Sequence, residues 1–204
     1  MNIEDCSSRG VLDGQARSSD EERMICAVML SSSYPLRMAK QAAIAKDVTT
    51  RCWLMKSEPS VYGIADLARD RRTLWEGVRN YQARNFMREM SVGDHVLFYH
   101  SNSNPTGIVG VARVRTAAKG DPTQFDPRSE YFDEAAKRED PRWSAVEVEF
   151  ESKFAGALTL DDLRSERALA NMMILRKGNR LSVTPVAASE FAAIVALARS
   201  VAKR

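Results

Sequence analysis

The sequence predicts an α+β fold, in which a small mixed or antiparallel sheet of barrel-like shape is flanked by helices. Several short runs rich in Val, Ile and aromatic residues are separated by turns that contain Gly, Pro and Asn. Segments with helix-cap residues lie between these runs. The chain has neither a regular alternation of strands and helices nor a glycine-rich phosphate loop, so a doubly wound parallel sheet is not expected.

The length and composition suit one domain with an additional segment. The chain has 204 residues, of which 44% are hydrophobic, enough to build a core. Residues 1–50 mix Ser, Gly and charged residues without periodicity, and we expect a disordered or loosely attached N-terminal tail there. A short helix over residues 37–46 is the alternative, because that stretch is rich in Ala. The folded domain should span residues 51–204.

Basic residues exceed acidic ones slightly, and they do so within the predicted domain. Residues 1–50 hold 6 of the 30 basic and 7 of the 27 acidic side chains, which leaves 24 basic and 20 acidic residues for the domain. This excess is compatible with a nucleic-acid partner but does not establish one. Local clustering strengthens the case, although part of the cluster fits a solvated helix face: within twenty residues lie Arg69, Arg71, Arg72, Arg79, Arg84 and Arg88.

The cysteines and the apolar runs indicate a soluble intracellular protein. Cys6, Cys26 and Cys52 are widely spaced and form no Cys-x-x-Cys pair, so neither a disulfide framework nor a zinc site is predicted, and no cofactor is indicated. The apolar run over residues 24–30 is too short to cross a bilayer and follows acidic residues, unlike a signal peptide. We expect a cytoplasmic protein, or a nuclear one in a eukaryote, with no membrane partner.

The predicted domain begins with a strand and a short helix. Residues 52–56 form a strand that ends at Ser57-Glu58-Pro59, because proline has no backbone donor and restricts the residue before it. The helix opens at Ser60 or Gly63 and ends near Arg69.

A second helix follows over residues 81–90. The side chain of Asn80 can accept from the exposed amides of its first turn. Arg84 and Arg88 then lie one turn apart on one face of this helix.

The centre of the domain reads as strands and turns. Residues 95–100 and 107–116 form two strands that pair as a hairpin. The two prolines of residues 121–128 predict a loop, and residues 143–150 have strand character.

The C-terminal part returns to helices. Thr159 opens a helix that carries a carboxylate at its third position. Residues 181–183 form a late strand, after which Thr184-Pro185 starts a helix that runs to about Ser200. The buried stripe of this helix comprises Phe191, Ile194, Val195 and Leu197.

Residues 75–85, Trp-Glu-Gly-Val-Arg-Asn-Tyr-Gln-Ala-Arg-Asn, carry the groups that hold a flat, polar ligand with attached anions. They supply two aromatic rings, two arginines and two asparagine amides around one glycine. A flipped-out nucleobase needs a ring to stack on, amides along its edge and guanidinium groups for the neighbouring phosphates. The stretch therefore predicts a nucleic-acid-binding site.

Three motifs in order carry a family resemblance. They are W-x-x-K-S-E-P at residues 53–59, W-x-G-V-R-N-Y-Q-A-R-N at 75–85 and G-D-x-x-x-F-Y-H-S at 93–101, followed by Gly107-Ile108-Val109-Gly110. Together they resemble the EVE domain family, in the form of its thymocyte nuclear protein 1 branch, over roughly residues 51–200. The resemblance implies a PUA-like fold, related to YTH and ASCH domains, with a pocket for a modified base and no enzymatic activity.

The resemblance and the chemistry together give one set of candidate ligand contacts. The expected ligand is a modified cytosine, carrying a 5-methyl or 5-hydroxymethyl group, in DNA; RNA is the other nucleic acid considered, and protein partners are unknown. The candidate contacts are Lys56, Ser57, Trp75, Val78, Arg79, Asn80, Tyr81, Arg84, Asn85, Tyr99, His100, Ser101, Arg176 and Ser182.

Each of the main candidates also has a structural interpretation. Trp75 is either the wall of the base pocket or a core tryptophan, the role expected of Trp53 and Trp143. Asn80 is either a base contact or a helix cap. The loop over residues 175–182 either contacts phosphates or is a solvated hairpin.

Two other functions compete with the modified-cytosine reader. A small hydrolase or glycosylase for modified nucleotides would act through His100 with Glu58 or Glu76, but no known catalytic constellation surrounds this histidine, and a hydrogen-bonding role is favoured. A YTH-like reader of methylated adenine in RNA usually has a cage of several aromatic residues. The candidate site offers one certain tryptophan.

Overall fold

The computed structural model describes residues 50–201, and the predictions for the N-terminal tail lie outside these residues. The described part has seven strands and four α-helices. The strands are β1 (Cys52–Ser57), β2 (Arg72–Trp75), β3 (His95–His100), β4 (Gly107–Val114), β5 (Lys119–Gly120), β6 (Ser144–Thr159) and β7 (Val183–Val186). The α-helices are α1 (Ile64–Asp70), α2 (Tyr81–Glu89), α3 (Leu160–Ser165) and α4 (Ala188–Val201).

The strands form one mixed sheet, which confirms the predicted α+β class. Its order is β2-β6-β4-β3-β1-β7, and β5 pairs with the start of β6. β1 and β3 pair in parallel, whereas the other pairs are antiparallel. β2 and β7 are the two edge strands, and they do not pair with each other among the described residues. Closure of the sheet into a barrel therefore stays a prediction.

The core lies on both faces of the sheet because side chains alternate along each strand. In β3, Phe98 points into a cluster covered by α1 and α2, while Leu97 and Tyr99 point into a second cluster covered by α3 and α4. Ile194 of α4 is buried in the second cluster, and Phe191 packs against it, as the predicted stripe requires. None of the described helices is long and apolar enough to span a membrane.

Strands and helices with local signals lie where they were predicted. β1, α1, the cap of α2 and the β3–β4 hairpin agree with the sequence. Asn80 Oδ1 accepts from the backbone N–H groups of Gln82 and Ala83, so the cap is present. Thr159 caps α3, and its partner in the capping box is Asp162.

The predicted end of the long strand is wrong. The sequence placed a strand over residues 143–150, but β6 continues to Thr159. Its second half is largely exposed and pairs with β4 through bulges, so no alternating apolar pattern marks it. The loop over residues 121–128 holds a single 3-10 turn, Pro122–Phe125.

The start of the last helix was also wrongly predicted. Thr184 and Pro185 belong to β7, and α4 begins at Ala188. Pro185 lies opposite Trp53 on a strand whose recorded partner is β1, and an edge strand tolerates the missing donor. Strand β2, which ends at Trp75, was not predicted.

A buried aspartate joins the starts of β1 and β3 to the end of β4. Asp94 is 1% exposed and accepts from Arg51 N–H at 3.0 Å, Trp53 Nε1 at 2.8 Å and Ser91 N–H at 3.0 Å. Its backbone carbonyl accepts from Val114 N–H, at the end of β4. Asp94 therefore fixes the starts of β1 and β3 and the end of β4 relative to one another.

Replacement of Asp94 should strongly destabilise the fold. Asp94→Ala leaves three donors without an acceptor, and we expect a loss of about 3 to 5 kcal/mol in the free energy of unfolding. Asp94→Asn keeps one acceptor oxygen and should lose less, about 1 to 2 kcal/mol. Urea unfolding followed by tryptophan fluorescence measures both, and equal losses below 1 kcal/mol would contradict this role.

Candidate nucleic-acid interface

The parallel pairing of β1 with β3 brings the ends of two sequence motifs together. Lys56 lies opposite Tyr99, and Ser57 lies opposite His100. Ser101 N–H donates to the carbonyl of Ser57 at 2.9 Å, so the strands stay paired beyond their ends. These five candidate contacts therefore occupy one end of the sheet.

Lys56 connects this end of the sheet to the loop before β7. Its backbone N–H donates to the carbonyl of Ser182 at 2.8 Å. Its ammonium group lies 5.9 Å from the centre of the Tyr99 ring, and burial lowers the pKa of Lys56. Arg176, at the other end of the loop, is exposed. The structure thus places Ser182 beside the strand ends and Arg176 on the surface.

His100 and Tyr99 point to opposite faces, as the alternation predicts. His100 Nε2 accepts from Ile64 N–H at 3.1 Å, at the start of α1. Burial, and then the positive charge of Lys153, lower the pKa of His100, which favours the neutral ring that this acceptor role needs. The expected hydrogen-bonding role is therefore observed.

Trp75 lies in the core cluster on the same face as His100. It is 8% exposed, and its ring meets Phe98 edge-on, with centres 5.2 Å apart and planes at 76°. The other two tryptophans donate their indole N–H to carboxylates, Trp53 to Asp94 and Trp143 to Asp133. The indole N–H of Trp75 has no hydrogen-bond partner among the described residues.

The loop after Trp75 is held by a buried ion pair. Arg79 Nη1 lies 2.7 Å from Asp121 Oδ2, and the same oxygen accepts from Gly77 N–H at 2.9 Å. Arg79 also donates to Thr123 Oγ1 at 2.9 Å and to the carbonyl of Tyr131. Its guanidinium group is thus already occupied within the chain.

The electrostatics of this pair keep Asp121 ionised. Burial alone would raise the pKa of Asp121, but hydrogen bonds from Arg79, Thr123 and Gly77 outweigh it and hold the pKa below its ordinary value. Glu76 shows the opposite shift, because burial and then the nearby charge of Asp121 raise its pKa. The predicted contact between Arg79 and a phosphate stays a prediction.

Tyr131 forms a wall of this loop that the sequence did not suggest. Gly77 has φ +76°, and a Cβ at this position would lie 2.9 Å from the Tyr131 ring. The Arg79 guanidinium carbon lies 5.4 Å from the centre of the same ring. Glycine is needed here for the left-handed backbone and for the close approach of the ring.

The two candidate asparagines use their side-chain oxygens internally. Asn80 caps α2, as described above, and Asn85 Oδ1 accepts from Arg84 at 2.7 Å. Val78 is buried, and Tyr81 is 55% exposed with its ring 4.9 Å from that of Trp143. The amide nitrogens of the asparagines are the groups that remain for a ligand.

Asp121 and Tyr131 are the main residues of the region that sequence reasoning missed. Asp121 caps the turn that Pro122 begins, and an Asp-Pro pair is a recognisable turn signal. No local pattern marks the contact of Tyr131 with Gly77. The pairing of Arg79 with Asp121 spans 42 positions.

Two open clefts lie beside the second half of β6. One, of about 390 Å³, is lined by His100, Ile64 and Lys153 among others; the second, of about 460 Å³, lies between β6 and α4. Of the candidate contacts, only His100 lines either cleft. Among the described residues, no group of three or more His, Cys, Asp or Glu side chains is placed to hold a metal ion.

A methyl group at Gly77 should disturb the loop through Tyr131. We expect Gly77→Ala to lower the free energy of unfolding by about 2 kcal/mol or more, from the strained backbone and the displaced ring together. Gly178→Ala is the matched control, because Gly178 has φ +81° and open space around the new Cβ. It should cost about 1 kcal/mol, the backbone strain alone. Equal losses in urea unfolding would mean that the Tyr131 contact contributes nothing.

Comparison with known proteins places this arrangement in a family. A family model described as EVE domain matches residues 51–197. Thymocyte nuclear protein 1 from Gallus gallus is 37% identical over 164 residues, which cover 71% of this chain and 67% of that protein.

Solved structures agree in fold. A protein from Pseudomonas putida is 48% identical with a TM-score of 0.70, over 72% of this chain and 99% of that chain. The crystal structure of human THYN1 protein in complex with 5-methylcytosine containing DNA is 36% identical with a TM-score of 0.68, over 73% of this chain and 98% of that chain. The chain belongs to the EVE domain family.

Proposed function

We propose that this chain is a non-enzymatic module that binds DNA and reads a flipped modified cytosine, carrying a 5-methyl or 5-hydroxymethyl group. The observation that carries the proposal is the human relative, 36% identical over nearly its whole chain, that is in complex with 5-methylcytosine-containing DNA. The arrangement of the candidate contacts supports the same function.

Trp75 supports the base-reading part of the proposal. Its indole N–H is the one tryptophan donor without a partner among the described residues, and its ring lies on the face that also carries His100. Stacking on an aromatic ring contributes roughly 1 to 3 kcal/mol per base. Polar groups of Ser57 and Asn80 would then contact the edge of the base, whereas the ammonium group of Lys56 lies beside Tyr99 on the other face.

The shape of the sheet supports a curled, PUA-like pocket. β6 and β4 lie between β2 and β3 in the strand order, which would separate β2 from β3 by about 14 Å in a flat sheet. Trp75 on β2 nevertheless packs against Phe98 on β3, with ring centres 5.2 Å apart. We infer that the sheet curls around this pair in a barrel-like manner.

The alternative of a hydrolase or glycosylase receives less support. His100 accepts from a backbone amide, and Glu58, one acid proposed to act with it, accepts from Asn102 Nδ2 at 2.6 Å. Both groups thus have structural hydrogen bonds.

We also propose that the protein acts in the cytoplasm, or in the nucleus of a eukaryotic cell. The name of the relative thymocyte nuclear protein 1 supports the nuclear location.

Selective binding should be measurable with short duplexes. We expect a duplex with one 5-methylcytosine to bind about fourfold more tightly than its unmodified counterpart, since burial of one methyl group contributes about 0.8 kcal/mol. Fluorescence polarisation at one fixed salt concentration tests this, with 5-hydroxymethylcytosine duplexes and methyladenine RNA alongside. Equal affinity for all of these ligands would contradict the proposal.

The same measurement on tryptophan variants locates the pocket. Trp75→Phe keeps a ring against Phe98 but removes the indole N–H, and it should reduce the preference for the modified duplex. Trp75→Ala is unsuitable, because emptying this core position would cost about 3 to 5 kcal/mol of stability. Trp53→Phe is the control: it loses the hydrogen bond to Asp94 and should keep the preference.

A further inference from the structure

We propose that Arg84 and Arg88 of α2 form a phosphate-binding track that holds the DNA strand beside the base site. The inference rests on the proposed function and adds to it the surface that contacts the backbone. Both side chains lie on one face of α2, next to the segment Pro141–Ser144, and α2 follows directly after the loop that Trp75 begins.

Both guanidinium groups are held in place by neutral oxygens. Arg84 donates to the carbonyl of Arg142 at 3.0 Å and to Asn85 Oδ1 at 2.7 Å. Arg88 donates to Ser144 Oγ at 2.9 Å and to the carbonyl of Pro141 at 2.8 Å. These bonds orient the side chains but leave their positive charges uncompensated.

Several other arginines of the domain are neutralised by carboxylates. Arg69 pairs with Asp66 and Asp70, and Arg164 pairs with Asp161. Among the described residues, no carboxylate oxygen lies within the 4.0 Å of an ion pair from Arg84 or Arg88. A pair of oriented, unneutralised guanidinium groups is the arrangement that a phosphate diester would complete.

Neighbouring cations make the electrostatic potential at this surface more positive. The pKa of Arg84 is lowered by burial and then by the positive charges of Arg88 and Arg142, while the charge of Asp140 acts against this. Arg142 itself pairs with Asp133. The crowding of like charges would be relieved by a bound anion.

The Arg84 guanidinium group also stacks on the Tyr81 ring. The Arg84 guanidinium carbon lies 4.9 Å from the centre of the Tyr81 ring, and that ring packs on the buried Trp143. Stacking on an aromatic face restricts the guanidinium group without removing its charge. The track is therefore preorganised rather than flexible.

The spacing fits successive phosphates. Four residues along an α-helix advance about 6 Å. One strand of a duplex carries one phosphate charge per 3.4 Å of axis, so the two arginines span roughly two phosphates.

The test is the salt dependence of DNA binding. The slope of log affinity against log salt is negative for DNA binding. In the double variant Arg84→Gln/Arg88→Gln, this slope should become less steep by roughly 1.8, because two phosphate contacts are lost. The change should be equal for duplexes with cytosine and with 5-methylcytosine, so any preference between them stays unchanged. Fluorescence polarisation over a series of salt concentrations measures it.

Two further variants separate charge from structure. Arg84→Lys/Arg88→Lys keeps both charges and should retain the slope, although its fixed hydrogen bonds are weakened. Arg69→Gln/Arg164→Gln removes two paired arginines and should also leave the slope unchanged. Two results would contradict the track. In one, the Gln and Lys variants of α2 show equal losses of affinity and equally less steep slopes; in the other, neither variant differs from the original protein.

This test is independent of base selectivity. The salt dependence can be measured with unmodified DNA. If the protein prefers no modified base but the Gln variant has a less steep slope, the result contradicts the reader function and supports the track. Selective binding of the modified duplex, with the same slope in the Gln variant as in the original protein, would support the reader function and contradict the track.

Discussion

The parallel pairing of β1 with β3 is the constraint on which the candidate site depends. It makes both strands end at the same edge, so that Lys56 and Ser57 meet Tyr99 and His100 although more than forty positions separate them along the chain. Asp94 fixes this pairing at the opposite end, where its buried carboxylate accepts from Arg51, Trp53 and Ser91. A shift of one residue would exchange the two faces of β3 and would turn His100 away from the cluster that contains Trp75.

A second constraint acts on the loop after Trp75. The carboxylate of Asp121 holds both the backbone of Gly77 and the guanidinium group of Arg79, and the Tyr131 ring closes over the glycine. Arg79 and the two arginines of α2 therefore differ in their surroundings. Arg79 pairs with Asp121 inside the chain and fixes the loop, whereas Arg84 and Arg88 are oriented by neutral oxygens.

Sequence reasoning succeeded wherever the signal was local. Pro59 ended β1 and Asn80 capped α2, because each of these residues acts on its immediate neighbours. It failed where the outcome depends on distant residues. Pro185 resembled a helix start but lies in an edge strand, and the contacts of Arg79 with Asp121 and of Gly77 with Tyr131 join segments that no periodicity relates. The sequence motifs were enough to name members of the candidate site. Only the structure shows which of their polar groups already have hydrogen-bond partners within the chain.

The most direct test of the central claim follows the three indole N–H signals in ¹⁵N-resolved NMR spectra while a duplex is added. Trp53 donates to Asp94 inside the core, whereas Trp75 has no partner among the described residues. If the base is read at Trp75, the signal of this indole will shift at about fourfold lower concentrations of a 5-methylcytosine duplex than of the unmodified duplex, while that of Trp53 stays in place. Binding of the methylated duplex with an unmoved Trp75 signal would contradict the assignment of this pocket.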